Sequence, residues 1–246
     1  MNFSQISNQT LIGKGLRLPL MLLPKRMVIP IMQGPLRGKL WVVGSSSHGC
    51  WLGSYEFEKQ QIFIKTIRPG CVVYDIGAHV GFYTLLSSVL VASQGKVLAF
   101  EPVPRNLQYL RRHVQMNCCL NVSVFPYAVS DMSGEESFHP SINSSMGYIS
   151  KKGEMEVMTI ALDEVIKSTN IPLPDVAKID VEGAEFRVLM GGRHTIEKKK
   201  PILFLALHSP ENLKSCSELP QRVGYRFEAL NGTSTDNCDE ILAIPG

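Results

Sequence analysis

The chain has 246 residues, 44% of them apolar and 19% charged, which suits a large folded domain and excludes a disordered or collagen-like polymer. Its net charge of +3 is unevenly spread: residues 1–55 hold Lys14, Arg17, Lys25, Arg26, Arg37 and Lys39 and no acid, while the remainder holds 19 basic and 22 acidic residues. Six cations over 55 residues are too sparse for a nucleic-acid-binding stripe, so this part reads as an arm or lid ahead of a domain spanning 56–246.

The most apolar stretch of the arm, LRLPLMLLPKRMVIPIM at 16–32, is broken by Pro19, Pro24, Lys25, Arg26 and Pro30. It makes no single bilayer-crossing helix and lacks the unbroken apolar core of a secretory leader. Peripheral membrane contact stays open. Residues 40–43 (LWVV) and 50–53 (CWLG) read as short strands of a hairpin. Phe57, Ile62, Phe63 and Ile67 then recur near helical spacing until Arg68-Pro69-Gly70. From there the pattern is regular: strand 71–76, helix 81–93, strand 96–101, helix 104–116 and strand 121–129. Short β-like pieces fill 134–160, around the polar PSINSSMGYIS at 140–150, which reads as a lid carrying Asn143 and Ser145 or as an exposed linker. Helix 161–168, strand 175–181, helix 184–199, strand 201–208 and helix 211–223 follow. Two last strands, YRFEAL and EILAI, are separated by the turn-rich NGTSTDNCD. Such alternation predicts an α/β fold with a doubly wound, mostly parallel sheet and an antiparallel C-terminal hairpin. The six cysteines (Cys50, Cys71, Cys118, Cys119, Cys216, Cys238) form no CxxC spacing, which fits a reduced, cytoplasmic setting.

In a doubly wound sheet, ligands bind beyond the carboxyl ends of the strands. At the end of the first regular strand stands VYDIGAHVGFYT, with Asp75, Gly77 and Gly81 in the turn. Glu101 ends the next strand, 26 residues after Asp75, within reach of a ribose lying over the glycines. The spacing GAHVG is not the GxGxxG of a dinucleotide site. An acid two residues before the first glycine opposes a pyrophosphate and suits a cationic aminoacyl group, which points to S-adenosylmethionine rather than NAD. A structural turn with an incidental acid is the plainer alternative.

Five segments, VYDIGAHVGFYT, GKVLAFEPVPRNLQYLRRHVQMN, AVSDMSGEESF, LDEVI and DVAKIDVEGAEFRVLMGG, together resemble the FkbM-type methyltransferase family over about residues 70–208. The resemblance implies a class I, Rossmann-like S-adenosylmethionine-dependent fold, and usually O-methylation of sugar or natural-product hydroxyls. It implies that Asp75, Gly77, Ala78 and Gly81 line the methionyl part of the cofactor, that Glu101 takes the ribose, and that Pro102 and Ala128–Asp131, with Ser130, border the adenine. His79 stands where asparagine is commoner in the family and would pack beside the methionyl tail. Ala206 replaces a glutamate often found near the end of its strand, which puts a catalytic role for that position in doubt.

The run KIDVEGAE at 178–185 closes one strand and opens a helix. Glu185 reads as a helix cap. Asp180 and Glu182, two apart on an extended strand tip, would leave the same face toward the transfer site and are the candidate general bases. His208, after the next strand, is a further candidate because imidazole titrates near neutrality. No spacing calls for a metal, so none is expected, although Asp180, Glu182 and His208 are the set from which a divalent ion would be held. The acceptor expected is a hydroxyl of a saccharide, glycolipid or secondary metabolite. Competing readings are an NAD-dependent reductase or epimerase, opposed by the missing GxGxxG, a non-catalytic adenosine-ligand sensor, and a nucleic-acid methyltransferase, opposed by the lack of a DPPY-like motif. The sequence does not speak to oligomeric state.

Overall fold

The computed structural model describes residues 22–140, 147–149, 155–207, 210–230 and 239–246. Its centre is a seven-stranded sheet. Four strands rich in β-branched and aliphatic residues run parallel and adjacent: β3 (Val72–Ile76), β4 (Lys96–Phe100), β10 (Val176–Ile179) and β11 (Ile202–Ala206). Residues 73–76, 97–100 and 176–179 are all buried, as a sheet covered on both faces requires. β5 (Val122–Phe125) extends the parallel set at one edge. At the other edge β13 (Glu240–Pro245) runs antiparallel between β11 and β12 (Tyr225–Ala229), completing the order β12-β13-β11-β10-β3-β4-β5. The doubly wound sheet and its antiparallel hairpin are therefore as expected, and strand order reverses between β3 and β10.

Three segments differ from the sequence-based expectation. Residues 50–53 do not form a strand: they fall at the end of helix α1 (His48–Leu52), which Gly53 closes in the left-handed conformation at φ 75. Cys50 and Trp51 are both buried, so the piece lacks the alternation a strand needs. Strand 121–129 is split at Pro126, beyond which β6 (Ala128–Ser130) leaves the main sheet and pairs in parallel with β9 (Met155–Ala161). β6 and β9, with β7 (Gly134–Pro140) and β8 (Gly147–Ile149), make a second, four-stranded sheet. Helix 184–199 is broken at Gly191–Gly192 into Glu185–Gly191 and Arg193–Lys199. A Cβ on Gly191 would stand 1.9 Å from the Ser130 carbonyl oxygen, so only glycine allows β6 to lie so close.

The described part of the arm is built into the core. β1 (Val28–Pro30) pairs antiparallel with β2 (Leu40–Val42), and Trp41 from that hairpin is fully buried. Its indole stacks on the His113 ring at 3.9 Å, and His113 Nε2 accepts the Val42 N–H. His113 belongs to the helix Pro104–Met116, whose start at a proline matches expectation because the missing N–H falls where no helical partner exists. Burial lowers the His113 pKa to about 4, which keeps the neutral ring as an acceptor. Ile31, Leu36, Trp41, Trp51 and Phe63 share one apolar cluster with Val73, Tyr83 and Leu86 of the central unit. Replacing Trp41 by alanine removes a large side chain from that shared core, and unfolding in urea should show a loss of about 3–5 kcal/mol. A chain begun at Tyr55 should fail to give a cooperative transition. An unchanged midpoint for Trp41→Ala would show that residues 22–55 pack without holding the domain.

Candidate active site at the carboxyl edge of the sheet

The two glycines of GAHVG answer first to the protein. Gly77 has φ 76, and a Cβ there would lie 1.9 Å from the carbonyl oxygen of Asp180. Gly81 has φ 93, and its Cβ would lie 2.6 Å from Leu110 Cδ1. The bare Cα of Gly77 thus lets the tip of β10 seat against the turn that follows β3. Both Gly77 and Ala78 donate their N–H to the Phe100 carbonyl, tying the same turn to β4.

Beneath this junction lies Lys178, 4% exposed in the middle of the apolar strand β10. It is the register partner of Asp75 on β3. Its Nζ stands 3.3 Å from Asp75 Oδ1 and 3.4 Å from Asp180 Oδ2, and donates to the Gly77 carbonyl at 3.2 Å. Burial alone would lower the lysine's pKa, but the carboxylates of Asp180 and Asp75 reverse the sign and raise it, so it stays charged. Asp75 itself is 1% exposed and also accepts from Thr84 Oγ1 at 2.6 Å. The amine that meets Asp75 in this structure is Lys178.

Glu101 is 4% exposed at the tip of β4. His79, itself left-handed at φ 51, donates its N–H to Oε2 at 2.8 Å, and Val103 donates to Oε1 at 2.9 Å. Burial pushes the carboxyl up to about 7, against the pull of those two amides. Glycine turn and acid therefore meet, as the sequence suggested, through the His79 amide. Ala78 is buried beneath the turn and Pro102 is half-buried beside the acid.

The pairing of Asp180 with Glu182 does not hold. β10 ends at Ile179, and Glu182 is left-handed at φ 55, so the two do not share one face of an extended strand. Asp180 faces Lys178, while the loop 181–183 is held by Glu185: its Oε1 accepts from the Gly183 amide at 3.0 Å and its Oε2 from Asn212 Nδ2 at 3.1 Å. Glu185 is fully buried; it is the first residue of its helix and holds the preceding loop, whereas the expected cap position is taken by Ala184, which makes no side-chain cap bond.

Three side chains that sequence reading passed over complete this edge. Lys59, from the helix Phe57–Thr66, is 4% exposed and forms ion pairs with Glu56 at 3.2 Å and with Glu240 of β13. Burial would lower its pKa, and Glu56, Asp180 and Glu240 together raise it. Tyr83 donates its hydroxyl to Glu56 Oε2 at 2.9 Å. Glu240 lies directly across from Ala206 in the antiparallel register, so the carboxylate missing at 206 has a counterpart on the neighbouring strand. Four carboxylates (Asp75, Asp180, Glu56, Glu240) against two ammonium groups leave a formal excess of two negative charges. The signal for Lys178 was readable: a lone lysine in one apolar strand and a lone aspartate in another call for each other.

Ser130 and Asp131 belong to a different set of contacts. Asp131 Oδ1 accepts from Ser130 Oγ at 3.1 Å and from Arg187 Nε at 2.8 Å, and Arg187 also grips Glu136 of β7. Ala128 is buried in β6. His208, Asn143 and Ser145 lie outside the described residues. Among the described residues no three His, Cys, Asp or Glu side chains converge as metal ligands.

A family model described as the methyltransferase FkbM domain matches residues 75–227. The hexuronic acid methyltransferase AglP of Haloferax volcanii is 30% identical over 161 residues, 65% of this chain and 65% of that one. The 31-O-demethyl-FK506 methyltransferase FkbM of Streptomyces tacrolimicus is 29% identical over 159 residues, 51% of this chain and 60% of that one. The matches thus span 65% and 60% of the length of these curated relatives. Among solved structures, a methyltransferase FkbM from Methylobacillus flagellatus superposes with a TM-score of 0.51 at 18% identity, covering 80% of this chain and 55% of that one. The fold is that of class I methyltransferases.

Two measurements test the electrostatics described above. Lys178→Met leaves Asp75 buried without its cation and should cost about 3–5 kcal/mol in urea unfolding. A loss below about 1 kcal/mol would mean that Thr84 suffices for Asp75. Glu101 has its folded pKa raised from 4.5 to about 7, so the native state keeps a proton that the unfolded chain gives up. Its stabilising contribution is full below about pH 4.5 and is lost as pH rises through about 7. Across that window stability should fall by something on the order of 3 kcal/mol relative to Glu101→Gln, measured in parallel. Parallel slopes for the two proteins would refute the raised pKa.

Proposed function

This chain belongs to the FkbM methyltransferase family, and from that premise we propose that it transfers a methyl group from S-adenosylmethionine to a hydroxyl of a saccharide, glycolipid or secondary metabolite. The observation that carries the proposal is the junction of Gly77 with the Asp180 carbonyl, wired through the His79 amide to Glu101. It joins three strand tips at the point where strand order reverses, the crevice in which doubly wound sheets bind nucleotide ligands.

The residues fit such a cofactor by charge. An excess of two carboxylates favours a ligand that carries a sulfonium and an ammonium and opposes a pyrophosphate. When bound, S-adenosylmethionine supplies an activated methyl group on a cationic sulfur. Glu101, at the tip of β4, would accept hydrogen bonds from the ribose hydroxyls with the lone pairs that His79 and Val103 leave over. Ala78 and Gly81 would border the methionyl part, and Asp131 with Ser130 the adenine side.

For the transfer itself the acceptor oxygen has to stand in line behind the methyl, which is chiefly a matter of positioning. Asp180 is the base we assign: its side chain is partly open to solvent while Lys178 holds it from below. One carboxylate oxygen would take the proton that the hydroxyl sheds as the new bond forms. Glu182 and His208 rank behind it. The names of two relatives, one for a hexuronic acid and one for 31-O-demethyl-FK506, support an oxygen acceptor. The acidic surroundings of Asp180 favour a neutral or cationic hydroxyl compound over one bearing a carboxylate.

Titration calorimetry with S-adenosylhomocysteine should give a single binding event that NADH does not reproduce. Asp180→Asn should keep that affinity while lowering methyl transfer to the acceptor by about 10²–10⁴-fold. Turnover near the wild-type level in Asp180→Asn would remove it as the base, and binding of NADH alone would remove the cofactor reading.

A further inference from the structure

The hairpin β1–β2 packs one face inward, and on the other Val42 is buried opposite Val28 while Val28, Pro30 and Leu40 stay exposed. Ile29 and Trp41 are register partners on the inward face. Met32 continues the outward set at 60% exposed, and Met27 and Leu22 stand exposed at its start. The side chain of Asn117 clamps Leu40 from the neighbouring helix end, with Oδ1 accepting the Leu40 N–H at 2.7 Å and Nδ2 donating to its carbonyl at 2.9 Å. That clamp brings the loop 117–121 alongside, and Leu120 on it is 98% exposed. Six large apolar side chains in two linked segments exceed the scattered exposure normal for a protein surface.

The two segments that carry this ridge hold charges of one sign. Lys25 and Arg26 lie in the turn before β1, and Arg37 and Lys39 in the turn before β2. Arg105, Arg111 and Arg112 lie on the adjoining helix, and Arg105 donates to the Ser45 carbonyl of the arm. Residues 22–55 and 102–130 contain these seven cations and no acid at all. The two segments are far apart in sequence, and the fold joins them through the Leu40–Asn117 and Arg105–Ser45 hydrogen bonds.

We propose that this face docks on an anionic lipid surface, with the ridge at the level of the headgroups and the flanking cations on phosphate. The complementarity of charge selects the partner: an apolar ridge alone would suit another protein equally, but a ridge whose two segments carry seven cations and no carboxylate suits a surface of fixed negative charge. Among the described residues no helix is long and apolar enough to cross a membrane, so the contact is peripheral. The proposal is independent of the methyl-transfer reading.

The test is sedimentation of the full chain with phosphatidylcholine vesicles, with and without phosphatidylglycerol. Binding is expected only to the anionic vesicles and should weaken in high salt. Arg37→Ser with Lys39→Ser should lower the partition coefficient about 30-fold, at roughly fivefold per cation near such a surface. Met32→Ser with Leu40→Ser should lower it roughly tenfold or more through lost burial. All four positions are open or partly open to solvent, and circular dichroism checks that the variants stay folded. Failure to sediment with anionic vesicles overturns the proposal, as does binding that both double variants retain. So does a dimer in solution that the Met32→Ser, Leu40→Ser variant converts to monomer, since a second copy would then cover the face.

Discussion

The carboxyl edge of the sheet depends on an ammonium group inside it. Lys178 occupies a position in β10 where its three strand neighbours, Val176, Ala177 and Ile179, are buried and apolar, and a lone charge there would cost several kcal/mol. It is tolerated because the parallel register sets Asp75 opposite it and because the chain beyond the strand returns Asp180 to the same nitrogen. The Gly77 carbonyl completes the shell. One cation thereby fixes two backbone segments, 75–77 and 178–180, relative to one another, which a hydrophobic contact at this spot would not do with the same directionality. The left-handed conformations cluster around it: Gly77, His79, Gly81, Glu182 and Gly183 all have positive φ. Backbone of that kind persists only where its surroundings over-determine it.

Much of the scaffold was legible because its signals are local. Strands of β-branched and aliphatic residues alternating with amphipathic helices specify a doubly wound sheet, and Pro104 marked a helix start to the residue. Two of the failures share a cause. Gly191 interrupts a helix because of Ser130, sixty-one residues away in sequence, and β6 changes sheets because β9 is there to receive it. Residues 50–53 are too few to display either period. Contacts between distant segments decided the first two, and periodicity carries no information about those.

The site divides in the same way. The link between the glycine turn and Glu101 was readable, since an acid at the next strand tip must lie beside the first turn. The purpose of Gly77 was not: glycine there meets the carbonyl of Asp180, so the absence of a side chain serves the assembly of the site before it serves any ligand. The same-face argument for Asp180 and Glu182 failed because it presumed an extended strand where the chain already turns. Asp75 was read as facing a ligand and instead neutralises Lys178.

Half of the six residues in the Lys178 and Lys59 ion pairs come from outside the segment that the family model matches. Glu56 and Lys59 precede residue 75, and Glu240 follows residue 227. Asp75, Lys178 and Asp180 lie within it. The inner three are buried or pinned and hold the glycine turn after β3. The outer three have a different character: Lys59 is hidden, but Glu56 and Glu240 keep part of their side chains in solvent, at the start of the helix Phe57–Thr66 and on the C-terminal hairpin. A segment that varies independently of the cofactor turn can change the charge and shape met by an acceptor without disturbing Lys178. The arm can do so only because it is fused to the core through Trp41 and His113, which fixes the helix carrying Lys59. Under the proposed methyl transfer, rigidity of the arm would be a condition for acceptor selection, and acceptor identity would follow the arm and hairpin more closely than the glycine turn.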